Sequence, residues 1–186
     1  MIRRPPRSTP SNSSAASDVY KRQEYIGYGD NIDGVLVDAR LFERHHVPMY
    51  NKCAHILHAQ GKILGVHMDG RLKNLANLIA KSEIDVIEAF TPPPMGDLPL
   101  NEALTLWKRK VIWMNFPSSV YLMGPEAVKK HLLDLLEAAL PGDRLILAAS
   151  TEIRVPEECL KAVADVMEKA TLPLSKEKIN NIRKAI

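Results

Sequence analysis

From residue 24 onward the chain alternates short, uniformly apolar runs with longer amphipathic stretches. The apolar runs are Tyr25–Gly29, Ile63–His67, Val86–Phe90, Val111–Phe116 and Leu145–Ala149. Each has strand length and little polar alternation, the pattern of parallel strands buried on both faces. Between them, apolar residues recur at helical spacing, as in Leu72, Leu75, Ala76 and Ile79, or Leu160, Val163, Ala164 and Met167. Val128, Leu132, Leu135 and Leu136 follow the same rule approximately.

Punctuation residues sharpen these elements. Pro125 and Pro156 suit first helical turns, with Glu126 and Glu157 beside them at the positive helix end. Gly61 and Gly142 stand where helices should stop. The first long helix, about residues 39–60, contains Pro48, which should kink or divide it. Shorter helices are expected over 98–107 and 175–185. Strand–helix alternation predicts an α/β fold with a parallel sheet and right-handed crossovers. Five units of roughly 30 residues make part of a (βα)8 barrel of ~250 residues, or else a five-stranded open sheet. No glycine-rich phosphate loop follows any of the strands, which weighs against a nucleotide-binding sheet.

Composition changes the picture at one place. Residues 1–23 are rich in Arg, Ser and Pro and too poor in apolar residues for a core, so they should be disordered. They read as translated sequencing-adapter DNA rather than as protein design, with a transit peptide as the other reading. The domain expected to fold is therefore 24–186. The tail holds Arg3, Arg4, Arg7, Lys21 and Arg22 against Asp18, while the whole chain is +3, so residues 24–186 carry −1. A basic nucleic-acid footprint is thus missing from the folding part. No apolar run approaches the ~20 residues of a membrane span. The two cysteines, Cys53 and Cys159, form no metal or disulfide pattern and fit a reducing cytoplasm.

Polar residues collect at one end of the predicted strands. Asp30 and Asn31 follow the first, His67 and Asp69 end the second, and Glu88 lies in the third. Asn115 is in the fourth, and Ser150, Thr151 and Glu152 follow the fifth. The opposite ends offer mostly Lys62, Lys110 and Arg144, expected as solvated residues. Carboxyl ends of parallel strands are where α/β enzymes keep their chemistry. His67 and Asp69 share a strand face and can hold a metal. Asp30, Glu88 and Asn115 are the remaining catalytic candidates. A plainer reading stands beside each. Asp69 can cap the next helix, and His67 can be a hydrogen-bonded core histidine. Glu88 in an apolar strand needs a partner, a metal or a shifted pKa. Pro92–Pro94 is expected as a stiff extended loop. His45, His46, His55 and His58 read as a solvated helix face.

With these residues assembled, the chain resembles the uroporphyrinogen decarboxylase family, which includes corrinoid-linked methyltransferases. The matching stretches are Gly29-Asp30-Asn31, Phe42 to Pro48 with Tyr50, Gly61-Lys62, His67-x-Asp69-Gly70, Ile84-Asp85, Met95-Gly96-Asp97, Asn115 and Pro125-Glu126-Ala127-Val128. The resemblance implies the C-terminal part of a TIM barrel. Methyltransferase members bind zinc through His-x-Cys and a later Cys. Here Asp69 stands at the first thiol position and Thr151 near the second, so a harder, oxygen-rich divalent site at His67 and Asp69 is implied, with Glu152 or Glu88 as a third ligand. A small-molecule substrate and a corrinoid protein are the implied partners. The alternatives are a tetrapyrrole decarboxylase without metal, and a non-catalytic member acting as a binding partner.

Overall fold

A computed structural model describes residues 23–149 and 153–186. Five strands form one parallel sheet in the order β1 (Tyr25–Tyr28), β2 (Ile63–His67), β3 (Val86–Phe90), β4 (Val111–Asn115) and β5 (Leu145–Ala148). Sequential order matters. Right-handed crossovers between successive neighbours put every connecting helix on the same face of the sheet. A doubly wound sheet, which reverses its order to place helices on both faces, is thereby excluded. The α/β fold is compatible with part of a TIM barrel.

The helical run after β1 has three parts: α1 (Ala39–Leu41), a π-helical stretch (Phe42–His46) and α2 (Val47–His58). The division falls directly ahead of Pro48, which has no N–H and crowds the carbonyl four residues back. A wider turn there relieves both problems. The remaining helices are α3 (Ala76–Lys81), α4 (Leu100–Leu106), α5 (Ser118–Tyr121), α6 (Pro125–Ala138), α7 (Glu157–Met167) and α8 (Lys176–Ala185). Pro125 opens α6 as expected, while Pro156 is the N-cap of α7. Gly61 and Gly142 terminate their segments at φ 68° and 89°, the left-handed region glycine enters freely.

The sheet's two faces differ. Leu64, Val66, Ile87, Phe90, Ile112 and Met114 point to the helices and are buried in the core. The other face carries Tyr25, Ile63, Gly65, Val86, Trp113 and Ile146 in register. Ile63 and Ile146 are 42% and 44% exposed there, so burial on both faces, expected from the apolar runs, does not hold across this inner face. Tyr25 lies across Gly65, where an added Cβ would stand 2.1 Å from the phenol oxygen, and its ring meets Trp113 at 6.0 Å. Among the described residues no helix is long and apolar enough to cross a membrane. Residues 1–22, where disorder is expected, lie outside the described residues.

Candidate functional site

The strands' carboxyl ends frame a pocket of about 560 Å³. Asp33, His67, Asp69, Gly70, Arg71 and Asn115 supply its polar wall, and Met95, Phe116 and Ile153 its apolar one. Its loops are tied to one another. Gly70 N–H donates to Ile32 O at 3.1 Å and Gly34 N–H to Arg71 O at 2.7 Å. Asp97, from the loop after β3, accepts from the amides of Leu72 and Lys73 at 2.8 and 3.1 Å. Asp69 therefore does not cap the following helix. α3 starts only at Ala76, and Asp97 takes the turn's free amides. The Pro92–Pro94 run is not extended either. It turns back, with Gly96 N–H donating to Pro92 O at 3.2 Å, because Gly96 packs on the Thr91 carbonyl where a Cβ would not fit.

His67 and Glu88 are register partners on adjacent strands. His67 Nδ1–H donates to Glu88 Oε2 at 2.8 Å. A carboxylate can only accept, so in the neutral imidazole this bond places the proton on Nδ1 and the lone pair on Nε2. Nε2 lies 3.7 Å from Asp69 Oδ2. That is too long for a hydrogen bond. It is near the ~3.4 Å that separates two ligands on one tetrahedral ion with bonds of about 2.1 Å. The donor set thus fits a divalent cation through one nitrogen and one oxygen, with Glu88 as the outer partner that orients the imidazole. Among the described residues no group of three His, Cys, Asp or Glu side chains gathers around one point. Glu152, expected as the third ligand, lies outside the described residues, as do Ser150 and Thr151.

Asn115 ends β4 on the inner face and lines the same pocket. Asp30 does not. Its carboxylate turns to the helix layer, accepting from Tyr50 O–H at 2.6 Å, with His46 Nδ1 3.3 Å away. Tyr50 is wholly buried, and burial together with Asp30 pushes its phenol well above the usual range. Asp30 therefore ties the loop after β1 to the π-helical turn and α2. His46 belongs to that knot, and His58 bonds Asp85 at 2.8 Å, so the first helical run is not simply a solvated histidine face.

The sequence pattern does not single out Arg71. Its backbone is pinned from both sides, its side chain lines the pocket, and no ion pair engages its guanidinium among the described residues. The signal available was its place directly after His-x-Asp-Gly. Lys110 departs from expectation at the opposite end of the sheet. It is 4% exposed, and its ammonium donates to Ser82 O and Ile84 O at 2.7 and 2.8 Å. Burial lowers its pKa to about 8, against the smaller opposing pull of Asp85 and Glu83.

No family model matches the chain, and no curated protein matches it. Among solved structures, a methyltransferase from Methanosarcina mazei has a similar fold, with a TM-score of 0.60 at 14% sequence identity. The similarity covers 78% of this chain and 42% of that one. This chain therefore spans less than half the length of the structure it matches, and at that identity the likeness is one of fold.

Proposed function

We propose that the chain is part of a uroporphyrinogen decarboxylase-family barrel enzyme of methyltransferase-like type, acting on a small molecule at the His67–Asp69 rim. The observation that carries this reading is the 2.8 Å bond from His67 Nδ1 to Glu88, which turns a free Nε2 toward Asp69 and the pocket. His67 and Asp69 are the residues that would hold a divalent ion. Bound there, such an ion would act as a Lewis acid that lowers the pKa of a substrate heteroatom. Glu88 keeps the imidazole in the ligating tautomer, Arg71 offers a counter-charge to an acidic group on the substrate, and Asn115 offers hydrogen bonds across the pocket. Met95, Phe116 and Ile153 offer an apolar surface to the substrate's carbon frame.

Arg71 also favours a second reading, a metal-free decarboxylase in which it binds a substrate carboxylate. Metal titration separates the two. Under the first reading, the wild-type protein takes up a divalent ion stoichiometrically, His67→Ala loses it, and Asp69→Cys shifts preference toward zinc because thiolate is softer. Equal metal content in wild type and His67→Ala, or none in either, overturns the metal reading.

A further inference from the structure

The floor of the sheet, at the strands' amino ends, holds a second pocket of about 530 Å³ that shares no residue with the His67–Asp69 rim. It lies between the ends of α3 and α4. Lys81, Lys108, Arg109 and Lys110 line it, against Glu83 and Asp85. Helix carboxyl ends carry partial negative charge, so cations here have an ordinary explanation. The structure shows which cations serve that purpose. Lys110 meets the carbonyls of Ser82 and Ile84 beyond α3. Arg144 meets Leu104 O and Trp107 O at the end of α4, at 3.1 and 2.9 Å. The side chains of Lys81, Lys108 and Arg109 are left over, with no hydrogen bond or ion pair among the described residues. Asp85 is already engaged, accepting from Leu64 N–H and facing His58, both at 2.8 Å.

We infer that this floor pocket binds a small phosphorylated molecule, whose phosphate is held by Lys81, Lys108 and Arg109. Three unpaired cations, Lys81 from the last turn of α3 and Lys108 and Arg109 from the loop after α4, outnumber the Glu83 carboxylate and suit a multiply charged anion better than a single carboxylate. The volume falls in the range of small-ligand sites rather than of an extended polymer track. Lys110 can add to it, since an ammonium has three donors and two are engaged.

The test is titration calorimetry of the full chain with pyrophosphate at low salt. Saturable one-to-one binding is expected, weakened at least tenfold in a Lys108→Gln, Arg109→Gln double variant. Both side chains are exposed, so the variant should keep the wild-type thermal midpoint. His67→Ala should bind pyrophosphate as wild type does, which separates this site from the upper rim. Absence of saturation in the millimolar range, or equal affinity in the double variant, overturns the inference. So does acetate binding as tightly as pyrophosphate. Tighter binding of a single-stranded oligonucleotide that competes with pyrophosphate would overturn the small-molecule assignment.

Discussion

Replacing Lys110 by methionine tests the most buried cation described in the fold. The substitution keeps most of the stem's volume and removes the ammonium that serves Ser82 O and Ile84 O. Each carbonyl left without a donor in a buried place costs about 1–3 kcal/mol, so the two together cost roughly 2–6 kcal/mol. Against this, removing a desolvated charge relieves a cost of its own. The low pKa of about 8 shows that the charge is held at some expense. A net loss of about 3 kcal/mol at pH 7 follows. For a domain of this size that is roughly 6–12 °C in the thermal midpoint. The pH dependence supplies a second handle. The folded lysine titrates near 8 and the unfolded one near 10.5. Between those values the unfolded state binds more protons, so wild-type stability rises with pH. Lys110→Met lacks that gain, and its deficit should widen from pH 8 to 10. Urea melts of both proteins at pH 7, 8, 9 and 10 read this directly. A loss under 1 kcal/mol, or a deficit that narrows above pH 8, would refute the reasoning.

Three further perturbations probe the upper rim and the inner face. Glu88→Gln should lower metal affinity 10- to 100-fold, because an amide can donate to Nδ1 and turn the imidazole's lone pair away from Asp69; an unchanged affinity by competitive titration would count against the orienting role. Gly65→Ala should destabilise by about 1–3 kcal/mol, since the new Cβ displaces the Tyr25 ring and its contact with Trp113; a thermal melt equal to wild type would show that Tyr25 moves freely. Asp97→Ala should cost about 1–2 kcal/mol by freeing two turn amides, and faster hydrogen exchange at Leu72 and Lys73 should accompany it.

What the sequence made legible is what period and punctuation encode. Five apolar runs became five strands within a residue or two, and Pro48 announced the break that the π-helical turn makes. The site was legible in part. His67, Asp69 and Asn115 do line one pocket, and Glu88 does have the partner that a carboxylate in an apolar strand needs. What escaped depends on contacts between distant segments. Asp30 reads as a rim residue from its place after β1, but Tyr50 lies twenty residues on and only the helix's return over the strand brings them together. Lys110 looks like a solvated lysine until α3 ends over it. Asp97 reaches twenty-five residues back to Leu72. Alternation also cannot announce an inserted residue, and one such insertion shapes the site.

That insertion is in β3. Its neighbour β4 advances two residues from Ile112 to Met114 while β3 advances three, from Ile87 to Phe90. Two residues of β3 thus stand opposite one, the signature of a bulge. Ala89 takes the strain at φ 61°, a left-handed conformation that costs a non-glycine residue about 1–2 kcal/mol. The return for that cost is visible in the packing. Strict alternation would put Phe90 on the same face as Glu88, over the His67 pair and toward the pocket. The bulge resets the alternation, so Phe90 joins Ile87 on the helix side and packs edge-on against Trp107 at 5.7 Å. Glu88 then remains the last inner-facing side chain of β3, level with His67, while its carbonyl accepts from Met68 N–H at 2.8 Å. Thr91 hydroxyl donates to Ala89 O at 3.1 Å and steadies the kink. Strain held at one residue by surrounding contacts is the usual mark of a functional position. Here it decides whether the residue beside His67 is a carboxylate that orients its ring or a phenyl group that cannot.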